Sequence, residues 1–320
     1  MPLPTLYKSP EVTFSLHNLK SFYCTILLFW ICKAHAQISD FNHFDFTKAD
    51  SIALSYKGEE LINLPELSYK LTSNLNTDVE QFRSIYRWVC DNIKNDYGLY
   101  LRNNHQRQRF KDDSLKFDVW NTKFRQKLFD KLRKKKRTIC TGYAYLVKAL
   151  ADLANIKCEV VQGYGRVSTT NIENLTLPNH SWNAIKLNDK WYLCDPTWAS
   201  GIPNPETNQF TFQYNDGFFL ANPELFAINH FPVQEKWWLL DEETPTFEDF
   251  LAAPILYGKA YQNLESHNAP KNMHHSLKVN ENIVFQYKLK EKAEDDDIKF
   301  LIDNGSRHRK VKPKSISMDD

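Results

Sequence analysis

Two short apolar runs, residues 180–187 and 190–195, are separated by Asn188-Asp189 alone. Polar two-residue loops of this kind close tight β-hairpins, and the loop length sets the register. Leu187 then pairs with Lys190. Counting back, Ile185 faces Tyr192, Asn183 faces Cys194 and Trp182 faces Asp195. Strand side chains alternate, so His180 and Trp182 share a face. Asp195 becomes the diagonal neighbour of His180, with Cβ atoms about 7 Å apart, within reach of an imidazole–carboxylate hydrogen bond. A three-residue loop would slip the register and turn the face over. Taken singly, His180 reads as a core histidine and Asp195 as a turn-starting residue before Pro196.

Cys140 gives the pair a chemistry. A thiol nucleophile needs a base to take its proton and a carboxylate to orient that base. After Cys140, residues Tyr143, Leu146, Val147, Leu150 and Leu153 recur at spacings of three and four, with alanines between them, as in an amphipathic helix. Cys140 falls at the helix N-terminus, where free amides and the positive dipole end favour a thiolate. Gly142 lets backbone approach closely, which suits an oxyanion site. A lone cysteine near a helix start is a weak signal, since free cysteines are commonly just buried. A hairpin carrying His180 and Asp195 downstream strengthens it.

With these segments in hand, the chain resembles the transglutaminase-like superfamily of papain-related thiol enzymes, in its kyphoscoliosis-peptidase-like branch. The matching stretches are Cys140-Thr-Gly-Tyr-Ala144, Gly163-Tyr164, His180-Ser-Trp-Asn-Ala184 and Trp191-Tyr-Leu-Cys-Asp-Pro-Thr-Trp198. Further matches run from Phe218 to Phe226, over His230-Phe-Pro232, and from Lys236 to Leu240; the segment from Thr77 to Tyr97 also fits. The resemblance covers roughly residues 60–250. It implies that Cys140 is the nucleophile, His180 the base and Asp195 the orienting acid. Thr138 is one departure, because the family often has Gly two residues before the nucleophile. The fold class expected is α+β: a papain/transglutaminase-like core, the nucleophile's helix packed on an antiparallel sheet, and a short β-rich C-terminal extension.

Near the N-terminus, Lys20 precedes an apolar run from Phe22 to Cys32, and Ala34-His-Ala36 follows. This is the grammar of a signal peptide cut after Ala36. The run is shorter than the about 20 residues a membrane span needs. The expected setting is secreted or periplasmic, with no stable membrane span after cleavage. The chain carries 41 Lys and Arg against 39 Asp and Glu, and nothing global points to nucleic acid. Cys90, Cys140, Cys158 and Cys194 lie beyond the leader, too few for a disulfide framework. A Cys158–Cys194 bridge stays open, and Cys194 reads as packing.

Residues 37–262 are expected to form the transglutaminase-like domain and 263–320 a β-rich extension or tail. Within the first, residues 37–75 read as a leader with a small helix near 47–56. Thr77 to Asn95 reads as a helix opened by a Thr77–Glu80 capping box. Residues 98–136 are polar, basic and partly helical, 157–163 a strand, and 201–216 a loop. In the tail, Asn282 to Leu289 and Ile298 to Ile302 read as two strands of one small β element. The run Lys131-Leu-Arg-Lys-Lys-Lys-Arg137 could lower the Cys140 pKa or draw in acidic substrate, but such runs usually solvate a surface. Trp120, Trp182, Trp191 and Trp198 suit a core more than an aromatic cleft. No zinc spacing, phosphate loop or calcium loop is present, so no cofactor and no metal are expected. His267, His274 and His275 have no partner pattern.

Three functions fit. A thiol peptidase or amidase would use an acyl-enzyme on a peptide or protein substrate, cell-wall peptide included. A glutamine transferase would resolve the same intermediate with an amine. A binding module would keep the fold without turnover, although it would have no need of all three residues.

Overall fold

In the computed structural model, residues 37–204, 206–241, 243–291, 300–303 and 308–311 are described; the expected signal peptide, residues 1–36, lies outside them. Helices α1 (Thr47–Ser55) and α2 (Leu64–Thr72) lead into α3 (Asp78–Asn92). Thr77 caps α3, and the Thr77–Glu80 capping box forms in both directions. The apolar positions of α3 make it the centre of the core: Phe82, Ile85, Tyr86, Trp88 and Val89 are wholly buried. Each such side chain contributes about 1.5–3 kcal/mol on burial.

The helix ends at Asn92, short of the expected Asn95. Ile93 is extended, and β1 (Lys94–Asn95) pairs in parallel with β2 (Arg137–Thr138). Between these strands the basic segment folds into a helical hairpin, α4 (Tyr97–Phe110) and α5 (Ser114–Lys135). Helix α6 (Cys140–Leu153) follows. α2 was not foreseen.

Strands β3 (Cys158–Gly165), β4 (His180–Leu187) and β5 (Lys190–Cys194) come next. Asn188 and Asp189 both adopt left-handed backbone, with φ of 47° and 64°, as a two-residue hairpin turn of the primed type requires. The observed pairs Leu187–Lys190, Ile185–Tyr192 and Asn183–Cys194 are those counted from the loop length. Cys194 ends the strand, and Asp195 begins helix α7 (Pro196–Ser200). Ribbon β6 (Gly201–Pro203) with β7 (Phe210–Phe212) occupies part of the expected loop. After α8 (Pro223–Asn229), β8 (His230–Pro232) returns beside β3, giving an antiparallel sheet ordered β5-β4-β3-β8.

Helix α6 lies on this sheet. Asn183, buried in the middle of β4, donates to Ala144 O at 2.9 Å and so fastens the strand to the first turns of the helix. The fold class is therefore the one expected: a cysteine-bearing helix on an antiparallel sheet.

Helix α9 (Phe247–Ala252) lies against β8 and α10 (Gly258–Asn263) against residues 216–218; the buried Arg166 donates to Leu251 O of α9 at 2.7 Å and to Ile228 O of α8 at 3.5 Å. The tail differs from its sequence reading. β9 (Leu264–Ala269) pairs with β10 (Gln286–Leu289), while β11 (Phe300–Asp303) pairs with β12 (His308–Val311). The two foreseen strands thus belong to separate ribbons, and Ile298–Lys299 lie outside the described residues. No described helix is long and apolar enough to cross a membrane.

Candidate active site

Cys140 is the first residue of α6, preceded by the extended N-cap Ile139. Its sulfur lies 4.0 Å from Asn179 O, and His180 is close enough to hold the thiol below its ordinary value. His180 opens β4, and its Nε2 lies 2.7 Å from Asp195 Oδ2. With Nε2 on the carboxylate, Nδ1 is the ring nitrogen left to face the thiol. The three residues singled out in the sequence therefore meet, from a helix start, a strand start and a strand end.

Asp195 is fully buried and accepts four hydrogen bonds. Oδ1 takes Thr197 N at 2.8 Å and Trp198 N at 3.1 Å, capping α7. Oδ2 takes His180 and a second histidine, His230, at 3.1 Å. The sequence reading passed over His230 as a site residue. It sits 35 positions beyond Asp195, and only the β8–β3 pairing brings it in; its sole signal was the family-like His230-Phe-Pro232. Trp198 stacks on His180 with centroids 4.9 Å apart, so one of the tryptophans assigned to core also braces this imidazole.

The electrostatics follow from this packing. Burial pushes the Cys140 thiol up, but the hydrogen bond and charge of His180 outweigh it and hold the thiol below its ordinary value. Burial disfavours a charged His180; Asp195 and Cys140 reverse that and raise it to about 10. Asp195 is held well below the carboxylate range by both histidines despite its burial. His230 goes the other way, pushed down to about 4 by burial against the pull of Asp195. The combination stabilises a thiolate–imidazolium pair beside a permanent carboxylate.

Ligand-capable atoms of His180, Asp195 and His230 lie within 4.8 Å of one another. Two N–H donors on a single carboxylate oxygen account for this grouping, and all three residues are buried.

Two glycines shape the site. At Gly165 a Cβ would stand 2.9 Å from His180 Cβ and Cγ, so the bare backbone is what seats the imidazole. At Gly142 a Cβ would stand 1.9 Å from Thr138 Oγ1 and 2.8 Å from Thr138 Cβ. The Gly142 N–H is committed to Ile139 O at 2.9 Å. Gly142 therefore makes room for Thr138, the residue that departs from the family pattern, and its own amide is not a free oxyanion donor.

A narrow crevice of about 30 Å³ opens over the sulfur, room for about one water. Cys140, Thr141, Gln162 and His180 form one side, and Tyr100, Asn103, Asn104 and Arg107 of α4 the other. Asp96 places that wall. It caps α4 through Leu99 N at 3.1 Å, pairs with Lys131 of α5, and lies 3.5 Å from Arg137 of β2. Two cations of the basic run are thus spent on Asp96, and the main influences on Cys140 are burial, His180, Asp195 and Ser181. Cys90, Cys158 and Cys194 are buried free thiols, so no Cys158–Cys194 bridge forms.

A helix-borne thiol on an antiparallel sheet, facing a histidine and a carboxylate, is the architecture of papain-related thiol proteins. Residues 65–196 match the profile of the transglutaminase-like superfamily, so that segment is a transglutaminase-like domain, and the chain is similar to kyphoscoliosis peptidases. It is 36% identical over 179 residues to human kyphoscoliosis peptidase, covering 55% of this chain and 24% of that protein. It is 34% identical over 197 residues to the mouse protein of the same name, covering 61% and 27%. Hillarin of Drosophila melanogaster is 24% identical over 226 residues, covering 66% and 25%. The chain spans about a quarter of the length of each of these relatives.

Proposed function

We propose that the chain is a thiol hydrolase that cleaves peptide or amide bonds through an acyl-enzyme on Cys140. The observation that carries this is the 2.7 Å contact of His180 Nε2 with Asp195, which leaves the other ring nitrogen for the Cys140 thiol that His180 holds below its ordinary value. The Cys140 thiolate attacks the acyl carbon and a sulfur–carbon bond forms. As the carbon–nitrogen bond breaks, His180 gives its Nδ1 proton to the leaving amine. Water then adds to the thioester with His180 as base, releasing the acid and restoring the thiol. Gln162 supports the developing oxyanion: its Oε1 takes the Ser181 hydroxyl at 3.1 Å, which leaves its amide N–H groups for the crevice.

Two relatives carry the name peptidase, which favours hydrolysis over amine transfer; an added primary amine that diverts product to a new amide reverses that choice. The substrate class is peptide or protein. The leader grammar at residues 20–37 supports an extracytoplasmic setting, and N-terminal sequencing of the processed chain should begin at Gln37.

The central test is the rate of Cys140 alkylation by iodoacetamide against pH, read site by site, in the native chain and in His180→Ala. A reactive thiolate below the ordinary cysteine range, lost in the variant, is the expected result. Ordinary reactivity unchanged in the variant overturns the enzyme reading.

A further inference from the structure

Charge is segregated in this chain. Residues 97–135, the α4–α5 hairpin, hold twelve Lys and Arg against four Asp and Glu, a net of +8. The whole chain is only +2, so everything outside the hairpin sums to −6. Some hairpin cations are used internally: Lys131 on Asp96, Lys116 on Asp113 at 2.8 Å and Arg133 near Asp130 at 3.7 Å. Arg102, Arg109, Lys111, Lys123, Arg125 and Lys127 are exposed, and among the described residues no carboxylate pairs with them.

The hairpin is also where the crevice gets its second wall. Arg107 is half-buried there, opposite Cys140. Its Nη1 donates to Pro178 O at 2.7 Å, and its guanidinium sits over the Phe117 ring at 5.4 Å. A guanidinium has five N–H donors in a planar fork that fits a carboxylate; among the described residues one is engaged. Burial pulls Arg107 down, and the nearby Cys140 and Tyr100 push it back up, as expected of a cation close to the sulfur.

We propose that the α4–α5 hairpin is a docking arm for acidic polypeptide, with Arg107 receiving a carboxylate of the substrate beside the Cys140 acyl site. This rests on the thiol-enzyme reading and names the substrate class of that same site. An exposed set of like charges raises encounter with an oppositely charged partner by about ten- to a thousand-fold at low salt. Nucleic acid is the less suited polyanion. Its bases stack on presented aromatic rings, whereas within the hairpin Trp120 stacks on Phe124 and packs at a tilt against Phe110.

The test uses the full chain and a labelled Glu-rich 12-residue peptide, with an uncharged Ser/Gly peptide and single-stranded DNA as comparisons. Anisotropy is read on Cys140→Ala from low to physiological salt. The acidic peptide should bind about tenfold tighter than the uncharged one and weaken steeply with salt. In the native chain the acidic peptide should slow Cys140 alkylation several-fold. Arg107→Gln should lose that protection, and Arg107→Lys should keep part of it. A triple exchange of exposed Lys123, Arg125 and Lys127 to Ser, which cannot disturb the core, should weaken binding. Equal binding of acidic and uncharged peptides, tighter binding of DNA, or protection unaltered in Arg107→Gln overturns the proposal. A Cys140 that alkylates as the enzyme reading requires, with no acidic preference, sinks the docking arm alone. An inert Cys140 sinks the enzyme reading, while anisotropy still scores the arm.

Discussion

His230 Nε2 stands 3.1 Å from Asp195 Oδ2, the same oxygen that takes His180 Nε2 at 2.7 Å. Both ring nitrogens of His230 face oxygen, since Nδ1 lies 3.1 Å from Phe226 O. A neutral imidazole has one N–H. Phe226 O is already served by the backbone N–H of His230, so the ring proton belongs on Nε2, against the charged acceptor.

His230 therefore supplies one of the four donors that hold Asp195. Removing a hydrogen bond to a charged group costs about 1.5–3 kcal/mol. His230→Leu should lose about that much stability in urea unfolding and about tenfold or more in turnover, with the acid limb of Cys140 alkylation moved to higher pH. His230→Gln keeps an N–H donor and should recover part of the loss.

Acidification should act on the same ring. Its folded value is about 4 and its ordinary value 6.5. Between these the unfolded chain takes a proton that the native chain refuses, so stability falls as pH drops through this window. Urea midpoints measured at pH 7 and pH 4.5 should differ more in the native chain than in His230→Leu.

The thiol and its base bound a window of activity. Cys140 is held below its usual value and His180 raised to about 10. Turnover should therefore rise at a pH below the ordinary thiol range and fall near pH 10, where His180 loses the proton the leaving amine needs. In His180→Ala burial and the Asp195 charge remain, opposed by the Ser181 amide, so the alkylation limb should move above that of a free cysteine.

Gly142 and Thr138 should be coupled. A methyl group at Gly142 collides with the Thr138 side chain, and overpacking of this kind costs about 1–3 kcal/mol. Gly142→Ala should lose that stability and slow Cys140. Thr138→Gly should restore both in the double variant, which a double-mutant cycle reads directly.

Asp96 joins α4, α5 and the strand before the nucleophile. Asp96→Ala removes a cap and leaves the half-exposed Lys131 and Arg137 without their partner, at about 1–3 kcal/mol. Asp96→Asn retains the cap to Leu99 N and should lose less. Unfolding midpoints of the two variants separate the contributions.

Local physics made the centre of the site legible. Asn188-Asp189 favours a tight turn, and that turn fixes the strand pairs from Leu187–Lys190 to Asn183–Cys194, with Asp195 just past the ladder as the cap of α7. The Cys140 helix followed from its apolar spacing. The end of α3 was misjudged because the β1–β2 ladder, a contact across 43 positions, competes with helix from Ile93 onward. His230 and the β9–β10 pairing, which spans 17 to 25 positions, are likewise contacts that no local pattern encodes. The basic run was half legible: its charge was plain, but the cations used by Asp96 were not.

Asp195 caps α7 with one oxygen while orienting His180 with the other. A variant lacking this carboxylate would be lost as folded protein as well as slowed as a catalyst, so its phenotype says little about chemistry. Among descendants of this fold, the aspartate would be retained by active and silent copies alike. Cys140, whose sulfur caps no helix, is the position at which the two would part.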